Sequence, residues 1–274
     1  MTTRPFRFSA FFQCLLQIAV AGVLYSQPVG GDKPEVAPQR ATLALSPAVS
    51  MLRVRPGQSV TQTFTLANQL PIEMRFAIET QDVVVRDGKR TFVPAGQIPL
   101  GIAFTAIAAP SSVVVPAGQT VSASVTVTVP PETAQRAVVV FFKGQIAAPD
   151  KGSVGFGASL GALITFNISN DSKVSASALA VSPQTSSANL GFSMALVNSG
   201  VEPVVPKGVI AILDEQGKRI AKATFEPHRL LPGESGQFAT LCPAVLKPGR
   251  YRTLSSFEYE GKVLTNAGEF TVSE

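Results

Sequence analysis

Apolar and polar residues alternate with a period of two along much of this chain. Val60, Phe64 and Leu66 interleave with Thr61, Thr63 and Thr65, and Ile72, Met74, Phe76 and Ile78 interleave with Glu73, Arg75 and Glu79. That period sends apolar side chains to one face of a strand and polar ones to the other. Val121, Ala123, Val125, Val127 and Val129 give the strictest alternation, and Leu160, Ala162, Ile164, Phe166 and Ile168 share a face further on. Residues 137–142 are continuously apolar, as in a strand covered on both sides. Leu190, Phe192, Met194 and Leu196 alternate next, then Tyr251, Thr253, Ser255, Phe257 and Tyr259, and a last strand ends near Val272. No segment of helical length carries an apolar stripe at helical spacing.

The strands are punctuated by Pro and Gly. Val115-Pro116-Ala117-Gly118-Gln119 opens the run to Val129, and Val129-Pro130-Pro131-Glu132 precedes the run to Phe142. Leu231-Pro232-Gly233-Glu234 opens a run to Cys242, and Leu246-Lys247-Pro248-Gly249-Arg250-Tyr251 opens one to Tyr259. Proline fixes φ and glycine accepts φ > 0, so each phrase is a turn between strands. Asp87-Gly88, Asp214–Lys218 and Glu260-Gly261 mark hairpins. A cassette used twice predicts an all-β chain of two tandem immunoglobulin-like β-sandwich domains after an N-terminal signal peptide. The divisions fall at 1–26 (signal), 27–40 (a Pro-containing flexible leader), 41–170 and 171–274. A loop is expected over 149–159, and the strand after it reads as an addition that the second domain lacks.

Composition narrows the class. The 274 residues are 45% hydrophobic and 15% charged, with 21 Pro, 22 Gly and no Trp, which suits packed β cores. Arg4 and Arg7 precede an apolar stretch from Phe8 to Leu24, the pattern of a cleaved secretory signal. Localisation is therefore periplasmic or extracellular, with a membrane contact only if the signal stays uncleaved. Cleavage near Ser26 leaves 21 basic residues (23 less Arg4 and Arg7) against 18 acidic, a net +3 with no basic stripe. Nucleic acid is not an expected partner. Cys242 is then the one cysteine, and its place at the end of an alternating strand makes it a buried hydrophobe.

Catalytic chemistry finds little footing. Gly157-Ala158-Ser159-Leu160-Gly161 matches G-x-S-x-G, and Asp214 and His228 follow in hydrolase order. That motif works at a strand-to-helix elbow, and an alternating strand follows Ser159 instead. Glu258 and Glu260 flank a strand end, where solvated charge explains them as well as a glycosidase pair does. With one His and one mature Cys the usual zinc spacings are missing, so neither metal nor small-molecule cofactor is expected. The chain reads as a non-enzyme.

The first half resembles the N-terminal sandwich of bacterial envelope proteins related to pilus chaperones and WxL-interacting proteins. The residues that carry this are Val54-Arg55-Pro56-Gly57-Gln58, Leu66-Ala67-Asn68, Asp87-Gly88 and the turns at Val115 and Val129. Val197-Asn198 and the turns at Leu231 and Leu246 are similar to the second sandwich of the WxL-interacting group. The resemblance implies a protein-binding module of the cell envelope, whose partner is another envelope or surface protein. It implies chaperoning or scaffolding of pilus-like subunits by strand addition, with adhesion or cell-wall binding as the alternative. Chaperones of this kind offer an alternating strand after a long loop, which points to Leu160, Ile164, Phe166 and Ile168. They hold a subunit's terminal carboxylate with a basic pair in the cleft between domains, for which Arg53, Arg55 and Lys143 are the candidates.

Overall fold

The computed structural model describes residues 42–146, 157–183, 189–243 and 246–272. The expected signal and leader and most of the expected loop lie outside the described residues. The first half holds ten strands: β1 (Leu43–Ser46), β2 (Val49–Arg53), β3 (Ser59–Asn68), β4 (Met74–Arg86), β5 (Lys89–Pro94), β6 (Ile107–Ala109), β7 (Ser112–Val115), β8 (Thr120–Thr128), β9 (Ala137–Ile146) and β10 (Gly157–Asn167). The second holds eight: β11 (Val174–Ala176), β12 (Ala180–Pro183), β13 (Asn189–Asn198), β14 (Lys207–Leu213), β15 (Arg219–Phe225), β16 (Ser235–Pro243), β17 (Gly249–Tyr259) and β18 (Lys262–Val272). The one helical element among the described residues is a 3-10 turn, Ala103–Thr105.

Each half pairs two sheets, and no sheet mixes strands from both halves. One sheet runs β1-β3-β8-β6 and the facing one β2-β10-β9-β4-β5, with β7 also on β4. In the second half β11, β12 and β16 flank β13, and the facing sheet runs β15-β14-β17-β18. The all-β, two-sandwich expectation holds. Phe64, Phe76, Phe142 and Phe166 fill the first core, and Phe192, Phe225, Phe238 and Phe257 the second. Cys242 is buried in the second core, as its position implied. Asp87 and Gly88 both take φ > 0, at 51° and 73°, which closes the β4–β5 hairpin with the twist its strands need. Ile72, expected on the strand face of Met74 and Phe76, precedes β4 and is exposed.

The repeated cassette has a common bolt. Asn68 ends β3 and is buried; its Nδ2 donates to the carbonyls of Val115 and Ile72, and its backbone N–H donates to Gln119. Asn198 ends β13 and is buried in the same way; its Nδ2 donates to Leu230 and Glu202, and its N–H to Glu234. In each half a strand-ending Asn amide therefore ties down the Pro/Gly turn that starts the partner strand.

The strand expected to be an addition in the first half is not one. β18 lies beside β17 as β10 lies beside β9. Among the described residues, what the second half lacks is a counterpart of β2, which runs parallel to β10 from Leu163 to Asn167. The strand also begins at Gly157, earlier than Leu160, because residues 157–165 pair in register with β9.

Asp82 is a fully buried acid on the core face of β4. Its Oδ1 accepts the amides of Ile102 at 2.8 Å and Ala103 at 3.0 Å, while Oδ2 has no partner. Burial pushes its carboxyl up, against the opposing pull of those two amides. The folded chain thus holds this proton more tightly than the unfolded chain. The group's stabilising contribution is fully present below the ordinary carboxylate value and is lost as pH rises through the raised one. Asp82→Asn keeps the oxygen that accepts the two amides and cannot ionise. Its stability relative to the parent, from urea unfolding, is expected to grow as pH rises above the ordinary carboxylate value, by up to ~1.4 kcal/mol per unit inside the shifted window. A pH-independent difference would contradict this. Separately, Asn198→Ala and Asn68→Ala each strand buried carbonyls and should cost about 2 kcal/mol or more in the same assay.

Candidate functional site

Among the described residues three ion pairs join the two sandwiches, each an Arg of the first with a Glu of the second. Arg136 Nε meets Glu202 at 3.1 Å with both side chains largely buried, Arg90 meets Glu234 at 2.9 Å, and Arg53 meets Glu260 at 3.2 Å with Arg53 exposed. The last is screened by water and contributes little. Leu231 adds an apolar contact: it is buried on Val83, Ala137 and Val139, the side of β4 and β9 turned away from the first core. This explains the continuous apolar run at 137–142, since Val138, Val140 and Phe142 face inward and Ala137, Val139 and Phe141 face the seam.

Beside this seam is a cleft of about 760 Å³ lined by Val49 and Leu163 from the first sandwich and by His228, Arg229 and Leu230 from the second, with Lys89, Arg90 and Glu234 at its wall. Arg90 also donates to the carbonyl of Arg229 at 2.7 Å. The Arg229 guanidinium has buried Nε and Nη1 atoms without partners. Burial first, and then the neighbouring Arg90 charge, pull Arg229 below its ordinary range.

One edge of β10 opens beside this cleft. Leu163 N–H donates to Ala48, and Asn167 accepts from Val54, so the odd-numbered residues turn their backbone groups toward β2. The even-numbered ones turn toward β9, as Phe166 N–H to Arg136 shows. Pairing with β2 begins at Leu163. The backbone groups of Gly157, Ser159 and Gly161 therefore point to the same side beyond the end of β2, and among the described residues no strand pairs with them. Gly161 stands opposite Phe141, and the half-buried Phe141 ring lies over it, within 3.4 Å of where a Cβ would stand. Phe92 packs edge-on against Phe141 with ring centroids 5.5 Å apart and is 49% exposed, as Val49 is 52% exposed. The edge thus borders an apolar sheet face.

Of the residues singled out from the sequence, Ile164 and Phe166 are buried in the first core, and Leu160 and Ile168 pack partly buried against it. Arg53 bonds Asn170 and Glu260 at the seam, Arg55 is exposed, and Lys143 pairs with Glu79 on the open face of β9 and β4. These three cations do not converge, and none lines the 760 Å³ cleft. Arg90 and Arg229 do. The sequence carried no signal for that, because a hairpin residue and a Pro-bounded loop residue meet only through the seam. Ser159 sits inside a straight antiparallel pairing opposite Lys143, with no elbow and no following helix. His228 stacks on Phe238 at 3.8 Å, and the Asp214 carboxylate accepts amides of its own turn. The hydrolase arrangement is absent.

No protein-family model matches the chain, and no curated protein matches it. Solved structures do. The chain is similar to the class 5 fimbriae chaperone CfaA at 15% identity, covering 82% of this chain and 98% of that one, with a TM-score of 0.43. It is similar to a chain of the chaperone–tip adhesion subunit pre-assembly complex of the archaic Csu pili of Acinetobacter baumannii, at 13% identity, 83% and 98% coverage and a TM-score of 0.41. A chain of the Salmonella enterica SafA pilin–SafB chaperone complex is also similar, at 10% identity, 86% and 99% coverage and a TM-score of 0.41. Nothing in these comparisons supports the WxL-interacting part of the resemblance. Among the described residues no helix is long and apolar enough to cross a membrane.

Arginine at position 164 or 166 would put an unpaired charge into the first core, several kcal/mol above what a domain of this size tolerates. Ile164→Arg and Phe166→Arg are expected to yield unfolded or insoluble chain by circular dichroism. A folded, monomeric Ile164→Arg would show that this strand is not core.

Proposed function

We propose that this protein is a non-enzymatic, secreted or periplasmic protein-binding module that captures an extended strand of another envelope or surface protein. The observation that carries the reading is the uncovered edge of β10 over residues 157–162, lying against the apolar face of Phe141, Leu163 and Val49. An added strand gains main-chain hydrogen bonds from Ser159 and Gly161 and runs beside the apolar face that Phe141 and Val49 present. Affinity comes from the backbone and selectivity from that apolar face. Arg229, whose Nε and Nη1 have no partner among the described residues, lies at the cleft beside this edge, where it suits an acidic group at the end of the captured segment, while Arg90 next to it is paired with Glu234. The resemblance gave that role to another basic pair. Chaperoning of pilus-like subunits is the finer form of this reading. The side chains of Ile164 and Phe166 support the edge from within the core and do not themselves enter the partner.

Ser159→Pro separates fold from capture. The Ser159 N–H has no strand partner among the described residues, so proline there should leave thermal stability within about 1 kcal/mol of the parent. It removes the donor that an added strand needs. The tagged parent chain should retain a β-rich surface protein from a native envelope fraction and show slowed amide exchange at Ser159 and Gly161 in the complex. The variant should retain none. Capture by the variant, or unchanged exchange at those amides, would overturn the reading.

A further inference from the structure

The last strand leaves a long edge of the second sandwich unpaired. β18 pairs with β17 residue by residue from Lys262 to Val272 without a shift of register, and among the described residues no strand lies on its other side. Glu260 and Gly261 take φ of 45° and 73°, and their turn closes the hairpin on the Tyr259–Lys262 pair. The pair beside such a turn is hydrogen-bonded, and bonded and unbonded pairs alternate from there. The even-numbered residues of β18 therefore bond to β17. The backbone groups of Val263, Thr265, Ala267, Glu269 and Thr271 point to the open side.

Sheet edges are ordinarily blunted by short length, charge, proline or a bulge. β1 and β6 are four and three residues long, and β5 carries Lys89, Arg90 and Pro94. β15, at the far edge of the same sheet as β18, carries Arg219 and Lys222 beside a shift of register. β18 runs for 11 residues with neither proline nor bulge, and its charges are Lys262 at the turn and Glu269, which pairs with Arg250. Its inner side chains are incompletely covered: Leu264 and Phe270 pack against the second core yet stay half-buried. The Lys262 and Asn266 side chains donate to the carbonyls of Ser172 and Ser177, contacts that leave the β18 main chain uninvolved.

The strand is its own complement. When two copies of one strand pair antiparallel about a two-fold axis, each residue and its partner differ in number by an even amount, because bonded and unbonded pairs alternate. The register centred on Ala267 obeys this and pairs every residue from Lys262 to Val272. It sets Leu264 opposite the partner's Phe270, which covers both half-buried side chains, and Thr265 opposite the partner's Glu269, so no like charges meet. On the outer face Ala211, Leu254 and Ala267 lie in one row, with Leu254 46% exposed. Ala267 meets its own copy at the axis, and the apolar row continues into the partner's Leu254. Neighbouring registers lose the match. Centring on Thr265 or Asn266 sets Leu264 against the partner's Asn266 or Gly268, centring on Gly268 sets Phe270 against the partner's Asn266, and centring on Glu269 sets two carboxylates face to face. A strand of another protein would gain the same backbone bonds but would have to reproduce both faces.

We propose that a second copy of this chain occupies the β18 edge, joining two second sandwiches into an antiparallel two-fold dimer with Ala267 on the axis. The contact shares no residue with the β10 edge and does not depend on strand capture.

Sedimentation equilibrium of the full chain from about 1 μM to about 500 μM, a span suited to a small interface, should show a reversible monomer–dimer transition. Ala267→Glu sets two carboxylates opposite each other at an exposed position, so the fold is kept by circular dichroism and dimerisation should weaken about fivefold or more. Ala267→Cys should form an intermolecular disulfide under mild oxidation, since a bonded pair holds its Cα atoms about 5.5 Å apart. Val263→Cys should not, because in this register its own copy lies about 27 Å away along the strand. Ser159→Pro should dimerise as the parent does. Monomer throughout the range, a dimer that Ala267→Glu leaves unchanged, cross-linking of Val263→Cys as fast as of Ala267→Cys, or loss of the dimer in Ser159→Pro would each overturn the proposal.

Discussion

A single buried carboxylate holds the two halves of this molecule in register. Glu202, 1% exposed, reaches out of the second sandwich and accepts the amides of Ile168 and Ser169, the Ser169 hydroxyl and the Arg136 guanidinium. Burying a lone carboxylate costs several kcal/mol, so the charge is tolerable only with all of these donors in place. That demand is directional. It pins the segment that leaves β10 and enters the second sandwich, and with it the shape of the cleft. Leu231 and the Arg90–Glu234 pair reinforce the same arrangement from the other side. Without this constraint the β10 edge and the Arg90 and Arg229 guanidinium groups would have no fixed relation.

The two sandwiches are variations on one plan. Each closes a strand with a buried Asn whose amide satisfies carbonyls in the turn that begins the partner strand. An unbonded carbonyl at such a site would be expensive, which explains why the short Pro/Gly phrases keep their form in both halves. The halves part company at the last strand. β18 has β17 on one side and, among the described residues, no strand on the other. β10 has β9 on one side and β2 along only part of the other. Partial cover leaves an edge of defined length at a defined place, next to an apolar face rather than in open solvent.

Much of the fold was legible because its causes are local. The alternation of Val121 to Val129, the Asp87-Gly88 hairpin and the burial of Cys242 each follow from a residue and its near neighbours. The site was less legible. Leu160, Ile164, Phe166 and Ile168 stand out by pattern, but the pattern of a core-facing strand is the same as that of a strand meant for a partner's groove. The role proposed for β10 lies in its backbone edge, and a backbone edge has no side-chain signature. Arg53 and Lys143 looked available as cations, yet Glu260 and Glu79 claim them.

The period-two pattern and the Pro/Gly phrases, read alone, determined that this chain is all β, that it is built twice over, and most of the side chains that enter each core. Those properties depend on residues close together in the chain, where propensity and periodicity act. Tertiary structure decided which strand edges remain open, which Arg meets which Glu, and that Arg90 and Arg229 line one cleft. These depend on contacts between segments far apart in sequence, such as Arg136 with Glu202 and Val83 with Leu231. Their energy comes from desolvation and geometry at the seam, and no local stretch of sequence encodes it.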